Sequence, residues 1–265
     1  MKFVIDHDLH IHSQYSNCSS DPEQNNERIL KYAKDNGLKK ICLTDHLWDE
    51  NLPCDFDGYQ ESCFKKISKA LPIPKDDEVE FLFGCETEMD WQNMIGLSYK
   101  LYDTFDFIIV PINHLHLTPF TRRVEDDETE RRIDLFYRRF DRLLCSDLPF
   151  GKVGLAHPTC SLMARDLEQS NEMLEKMDKN VLRELYTRAQ KKNLGIEINE
   201  STLKFDDRRR ALYIEHMTVA KDCGCKFYLG SDAHHPVSFD NSIKNFENAI
   251  ELLGLTEDDK FDFAK

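Results

Sequence analysis

The stretch Asp8-Leu9-His10-Ile11-His12 holds the first residues able to do chemistry. On a β-strand, residues i and i+2 project to the same side, so His10 and His12 share a face. Two imidazoles placed that way suit a borderline divalent ion such as zinc, manganese or iron. A bare His-x-His pair also occurs on ordinary strand surfaces. The pair gains weight from later positions of the same kind: His46, Glu86, His114, His157, Asp232 and His234 each follow a short apolar run. Six histidines and two carboxylates at one place are too many polar groups for packing, and their repulsion would be costly unless divalent cations relieved it. Eight candidate ligands exceed the three or four of one zinc site and suit two or three metals, with a carboxylate bridging a pair.

The apolar runs themselves read as strands: Lys39–Thr44, Val79–Gly84, Asp106–Val110, Lys152–Ala156, Gly195–Asn199 and Cys225–Gly230, after a first strand that ends at His12. Helical stretches are predicted between them. They cover about Glu23–Asn36, stopped by Gly37; Tyr59–Lys69, after a loop Leu52–Gly58 and before Pro72 and Pro74; a short one within Gln92–Tyr102; a charged one at Asp127–Cys145; a long one at Asn171–Lys192; Asp207–Asp222; and Asn241–Leu253. The acidic tail Thr256–Lys265 is expected to be loosely held. Alternating strands and helices imply βα units and a parallel sheet, and about seven such units favour a closed barrel over an open sheet. In such a barrel the carboxyl ends of all strands meet on one face, which would gather residues distant in sequence. No glycine-rich turn follows the first strand, which argues against a dinucleotide site.

Composition narrows the partners. The 265 residues are read as one domain, 1–265, with no linker or low-complexity segment. No apolar run approaches the length that spans a bilayer, and the N-terminus turns charged too soon for a signal peptide. The nine cysteines are scattered, and Cys223-Gly224-Cys225 lacks Cys-x-x-Cys spacing, so reduced thiols and a cytoplasmic location are expected. A formal net charge of −14 would repel a long nucleic acid. The basic clusters Arg122-Arg123, Arg131-Arg132, Arg138-Arg139 and Arg208-Arg209-Arg210 are flanked by acids and read as salt-bridged helix faces. The excess of carboxylates does not bar a small anion if metal ions supply local positive charge, no membrane or nucleic-acid partner is expected, and the oligomeric state is left open.

Taken together, Asp8-Leu9-His10-Ile11-His12-Ser13, Leu43-Thr44-Asp45-His46, Gly84-Cys85-Glu86, His114, Ala156-His157-Pro158 and Gly230-Ser231-Asp232-Ala233-His234 resemble the PHP family, named for its polymerase and histidinol phosphatase members. The pieces come in the family's order and span nearly the whole chain. The resemblance implies a distorted (β/α)7 TIM-like barrel, α/β in class, with a metal cluster at the carboxyl face of the strands and phosphoesterase activity. It is closest to the stand-alone, histidinol-phosphatase-like branch. Carried over by position, His10, His12, His46, Glu86, His114, His157, Asp232 and His234 would be ligands of two or three divalent ions (zinc, manganese or iron). Glu86 would bridge, and Asp232, His234 and Glu86 would serve catalysis. The family commonly has Asp or His where this chain has Cys18. Cys18 either ligates zinc as a thiolate or marks a lost ligand, with Asp21 or water in its place. His116, two residues after His114, competes for that position.

The implied reaction is hydrolysis of a phosphate monoester by a metal-activated water, with histidinol phosphate as the substrate by resemblance alone. The alternatives are a nuclease or nucleotide phosphodiesterase of the same family, and a metal-binding regulatory module without catalysis. Arg165, Arg122 and Arg123, soon after His157 and His114, are the candidates for holding substrate phosphate; surface ion pairing is the competing role. His7 is read as a non-ligand, His216 as surface and His235 as pointing away from the cluster. Asp8 and Asp45 would orient ligands or cap turns. Glu197 and Asn199 end a strand to which no ligand is assigned. Trp48, Trp91, Phe120 and Tyr15 lie near strand-end loops, mostly as packing.

Overall fold

Short runs rich in β-branched and aromatic residues form the strands of the computed structural model, which describes residues 1–19, 21–54, 56, 59, 61–199 and 206–262. Ser20 of the first loop, Asp55, Asp57, Gly58 and Gln60 around the predicted 59–69 helix, and residues 263–265 of the tail lie outside the described residues. Among the described residues the strands are β1 His7–Ile11, β2 Lys40–Leu43, β3 His46–Leu47, β4 Glu80–Phe83, β5 Cys85–Thr87, β6 Ile108–Val110, β7 Val153–Leu155, β8 Gly195–Asn199 and β9 Lys226–Gly230. The helices are α1 Asn26–Asp35, α2 Phe64–Ile67, α3 Thr129–Leu144, α4 Leu167–Lys176, α5 Lys179–Lys191, α6 Asp207–Asp222 and α7 Ser242–Leu253.

All neighbouring strands pair in parallel. Strand β2 runs on into β3, and β4 into β5, with one register: Leu43 pairs with Phe83 and His46 with Glu86. The sheets β1-β2-β4 and β3-β5-β6-β7-β8-β9 are therefore parts of one sheet of seven strand positions. It closes where Ile11 bridges Ala233, Asp232 N donates to His10 O at 2.8 Å and His12 N donates to Ala233 O at 3.0 Å. The result is the α/β, TIM-like barrel expected. Alternate residues serve different layers. Ile108 and Val110 pack outward with Phe136, Phe140 and Tyr186 of the helices, whereas Phe107 and Ile109 join Leu9, Cys42, Leu82, Ala156 and Tyr228 in a cluster that no helix enters. At Gly154 a Cβ would lie 2.6 Å from the Tyr228 ring, so only glycine leaves room for that interior aromatic.

Several predicted elements change. The long 171–192 helix is two: Met177 is extended, at φ −60° and ψ 126°, and the Asp178 side chain accepts from Asn180 N to start α5. The expected 92–102 helix is absent; a 3-10 helix at Tyr99–Thr104 replaces it, so the β5–β6 connection has no α-helix. From residue 61 on, the 59–69 helix is reduced to α2 followed by a 3-10 turn, Ser68–Ala70. The tail is held through residue 262: Phe261 is buried inside the barrel cluster, its N–H bonds Phe227 O at 2.8 Å, and Lys260 reaches Asp6 at 3.1 Å. The arginine clusters divide. Arg138 and Arg208 pair with surface acids, while Arg132, Arg139 and Arg209 are fully buried and donate to loop carbonyls, because the helical repeat turns one arginine of each of the three helical clusters inward. No helix among the described residues is long and apolar enough to cross a membrane.

His216 is buried rather than on the surface, between α5 and α6, with Nε2 2.7 Å from the Tyr186 hydroxyl. Burial, with Arg209 nearby, pushes its pKa down to about 4 from an ordinary 6.5. The unfolded chain thus binds a proton there that the folded chain refuses, so stability is full above pH 6.5 and is lost as pH falls towards 4. Urea titrations across that window should show a steeper loss for the wild type than for His216→Gln, by up to about 3 kcal/mol. Equal slopes would mean that His216 titrates normally.

Candidate metal centre

The barrel's closure brings the predicted residues together. The β1–β2 pairing shifts register between Asp8 and Ile11, a bulge that lets Leu9 and then His10 and His12 face inward while Ile11 joins the outer core. Neighbouring strands place His46 beside Glu86. His157 and Asp232 follow β7 and β9 at positive φ, +23° and +54°, an uncommon conformation for such residues. His157 is pinned in it: its N–H donates to Glu197 at 2.8 Å and Asn113 Nδ2 donates to its carbonyl at 2.6 Å.

Glu86 lies at the centre. Its carboxylate is within 3.5 Å of His10 and 3.4 Å of His12, 3.0 Å of His46 and 3.3 Å of His157, and 4.0 Å from His114. Asp232 Oδ1 sits 3.3 Å from His10 Nε2 and 3.1 Å from His12 Nε2. Four sets of side chains present converging donor atoms: His10, His12 and Glu86; His10, His157 and Asp232; Glu86, His114 and His157; and His12, Cys18, His46 and His234.

The imidazoles are oriented from behind. His10 Nδ1 bonds Glu197 at 3.0 Å, His12 Nδ1 bonds Ser16 Oγ at 3.2 Å, His114 Nδ1 bonds Glu88 at 2.7 Å, and His234 Nδ1 bonds Asp232 O at 2.7 Å. Each of these four rings therefore has its Nε2 left for the cluster. His10 Nε2 and His12 Nε2 are 3.1 Å apart, which suits two lone pairs sharing a cation better than two imidazoles alone. His114 Nε2 and Glu86 Oε1 are buried without a hydrogen-bond partner. Buried polar atoms of this kind are normally satisfied, and these face each other as donors to an ion would. Imidazole nitrogens and carboxylate oxygens fit divalent zinc, iron or manganese.

Charge crowding shifts several of these groups. Burial opposes ionisation of Glu86, yet His46 and His10 hold its carboxyl well below the usual range. Burial also opposes Asp232, but His10, His12 and His234 hold it low. Against its own burial, His10 is raised to about 10 by Glu197, Asp232 and Glu86. The Cys18 thiol, despite burial, is pulled down to about 2 by His12 and His46. The pocket thus favours negative carboxylates and thiolate, which cations stabilise.

Two residues behind the ligands escaped the sequence reading. Glu197, noted only as a strand end, is buried and holds His10 and the His157 amide; its sole signal was a carboxylate inside the apolar strand Gly195-Ile196-Glu197-Ile198. At Gly230 a Cβ would lie 2.3 Å from Glu197 Oε1, so glycine permits that contact. Glu88 links His114 to buried Arg139 at 3.2 Å, and Arg139 also donates to Met89 O at 2.8 Å and Thr121 O at 3.1 Å. Its alternation with Glu86 was a visible but unused signal.

His114, and not the exposed His116, lies beside Glu86 and His157. Asp21 faces His235 at 3.5 Å, while Cys18 faces the cluster. Asp8 accepts from the N–H groups of His10 and Ser231, and Asp45 from Ser13, so both brace backbone rather than imidazoles. His7 bonds Asp6 and the Leu229 N–H. The three arginines have other partners. Arg122 pairs with Asp127 at 2.9 Å and donates to Leu115 O, Arg123 lies over Trp91 at 3.8 Å, and Arg165 pairs with Asp127 and Asp166, each at 3.3 Å. Trp48 and Phe120 pack with Tyr59, whose hydroxyl is 3.2 Å from His46 Nδ1.

A family model described as PHP domain matches residues 8–201. A probable phosphatase of Caldicellulosiruptor saccharolyticus is 25% identical over 209 residues, which cover 78% of this chain and 72% of that protein. The crystal structure of histidinol phosphate phosphatase from Lactococcus lactis, complexed with zinc, L-histidinol and phosphate, has a TM-score of 0.53 and covers 97% of this chain and 98% of that one. At 15% identity, that likeness is one of fold.

Replacing Glu197 by Gln should keep its shape but weaken its hold on His10. Divalent-metal retention against a chelator is expected to fall about 10- to 100-fold; unchanged retention would show that Glu197 does not orient a ligand. Arg139→Ala should strand the Glu88 carboxylate in the interior and lower unfolding stability by about 3–5 kcal/mol.

Proposed function

The chain belongs to the PHP domain family, and from that premise we propose that it is a metal-dependent phosphatase of small phosphate monoesters, with histidinol phosphate the first substrate to try. The observation that carries this reading is the convergence of imidazole Nε2 atoms on Glu86 and Asp232 while their Nδ1 atoms are held from behind. His10, His12, His46, Glu86, His114, His157, Asp232 and His234 are the proposed ligands, with Glu86 bridging and residues 1–265 read as one PHP domain. Divalent ions held there would supply Lewis-acid charge for a phosphoryl group and acidify water. The name of the Caldicellulosiruptor relative and the zinc, L-histidinol and phosphate of the Lactococcus structure support the chemistry proposed.

Exposure divides the roles. His10, His12 and Glu86 have side chains at most 1% exposed, which suits them to holding rather than exchanging protons with substrate. Asp232 is 22% and His234 28% exposed, so these two can reach a bound ester. Asp232, held ionised, and His234 would orient the solvent water that passes a proton to the departing alkoxide oxygen. Asp232 O accepts from His234 Nδ1, which keeps His234 Nε2 directed away from its own backbone.

Phosphate release should be measured across a monoester panel that includes histidinol phosphate, with zinc, manganese or iron added. Turnover is expected for at least one monoester, and His10→Ala should lower it by 100-fold or more, on the order of the loss of a group acting in the transition state. Preference for another monoester would keep the mechanism and discard histidinol phosphate. Silence with metal bound, or full activity in His10→Ala, would overturn the reading.

A further inference from the structure

One of the four donor sets differs from the rest. The three others each contain Glu86 or Asp232, whereas His12, Cys18, His46 and His234 include no carboxylate, and their donor atoms all lie within 4.8 Å of one another. Cys18 is built into the set. Ser16 Oγ lies 3.1 Å from Cys18 Sγ, 3.2 Å from His12 Nδ1 and 3.3 Å from His46 N, so one hydroxyl braces three of the four residues. Ser19 Oγ donates to His234 O at 2.6 Å and ties the same loop to the fourth. His12 and His234 stack at 4.3 Å between ring centroids, and His12 and His46 lie at 4.8 Å.

The geometry points to a thiolate-bearing metal position, His12–Cys18–His46–His234, that selects a zinc-class ion and rejects manganese and magnesium. It rests on the metal-dependent reading above and sharpens it, because the carboxylate-bearing positions do not discriminate in this way. Sulfur is a soft donor that favours zinc, while manganese and magnesium favour oxygen. On binding, Cys18 Sγ forms a bond to the ion as a thiolate, and any proton carried by the donor set leaves to solvent. Imidazoles complete a donor set of the kind zinc takes tetrahedrally. His12 also faces Glu86 and Asp232, so it joins this position to its neighbours. The protein would then hold unlike ions side by side: a thiophilic one at the more exposed position fixed by the Ser13–Ser19 loop, and others at the more deeply buried oxygen-containing positions.

Cobalt(II) tests this without reference to turnover. The metal-free protein is loaded with cobalt, bound metal is measured by elemental analysis, and the near-ultraviolet spectrum is searched for a thiolate-to-cobalt charge-transfer band. The band should appear in the wild type and in a Cys54→Ser control, and vanish in Cys18→Ser. In a parallel zinc/manganese competition, Cys18→Asp should admit manganese at a position where the wild type keeps zinc. Cobalt bound with no such band, or a band that survives in Cys18→Ser, would overturn this inference and leave the metal-dependent reading intact. Failure of the wild type to retain any cobalt, zinc or manganese would overturn both. Circular dichroism of each variant separates ligand loss from misfolding, and the wild-type spectrum decides the matter even if a variant fails to fold.

Discussion

The structure depends on the burial of like and unlike charges at one end of a barrel. Glu86 and five imidazoles occupy a volume from which water is largely excluded, and neither sign of charge is stable there alone. Without cations the balance falls on the histidines, which is why His10 is raised so far above its ordinary range. Divalent ions relieve the same imbalance and leave the rings neutral as ligands. A net charge of −14 and a phosphate-directed site are compatible for this reason, since the attraction for an anion is local.

Holding such a cluster together requires a rigid rear wall. Glu197 grips His10 and the His157 amide from β8, and Gly230 on β9 leaves room for it. Glu88 grips His114 and is itself neutralised by Arg139, which reaches in from α3 and also binds the carbonyls of the β5 and β6 loops. Arg139 thus serves the centre indirectly: it also binds the Met89 carbonyl of the β5–β6 connection, which has no α-helix.

The sequence by itself determined the repeating strand–helix order, because apolar runs of strand length alternate with amphipathic segments and end in punctuating glycines and prolines. It also marked the residues that converge at one end of the barrel: histidines and carboxylates that recur just after apolar runs have no packing explanation, wherever the strands lie. Tertiary structure decided the rest. The β1 bulge aims His10 and His12 inward, and a bulge depends on what a strand pairs with. Glu88, Glu197 and Arg139 act through partners 26 to 187 residues away, a distance that no local pattern encodes. His216 looked like a surface residue because its helix has no clean apolar stripe, since Arg209 and His216 themselves sit on its buried face. Closure of the barrel made the difference: only when β9 meets β1 do Asp232 and His234 arrive beside His10 and His12, and only then does a scatter of ligand types become a centre.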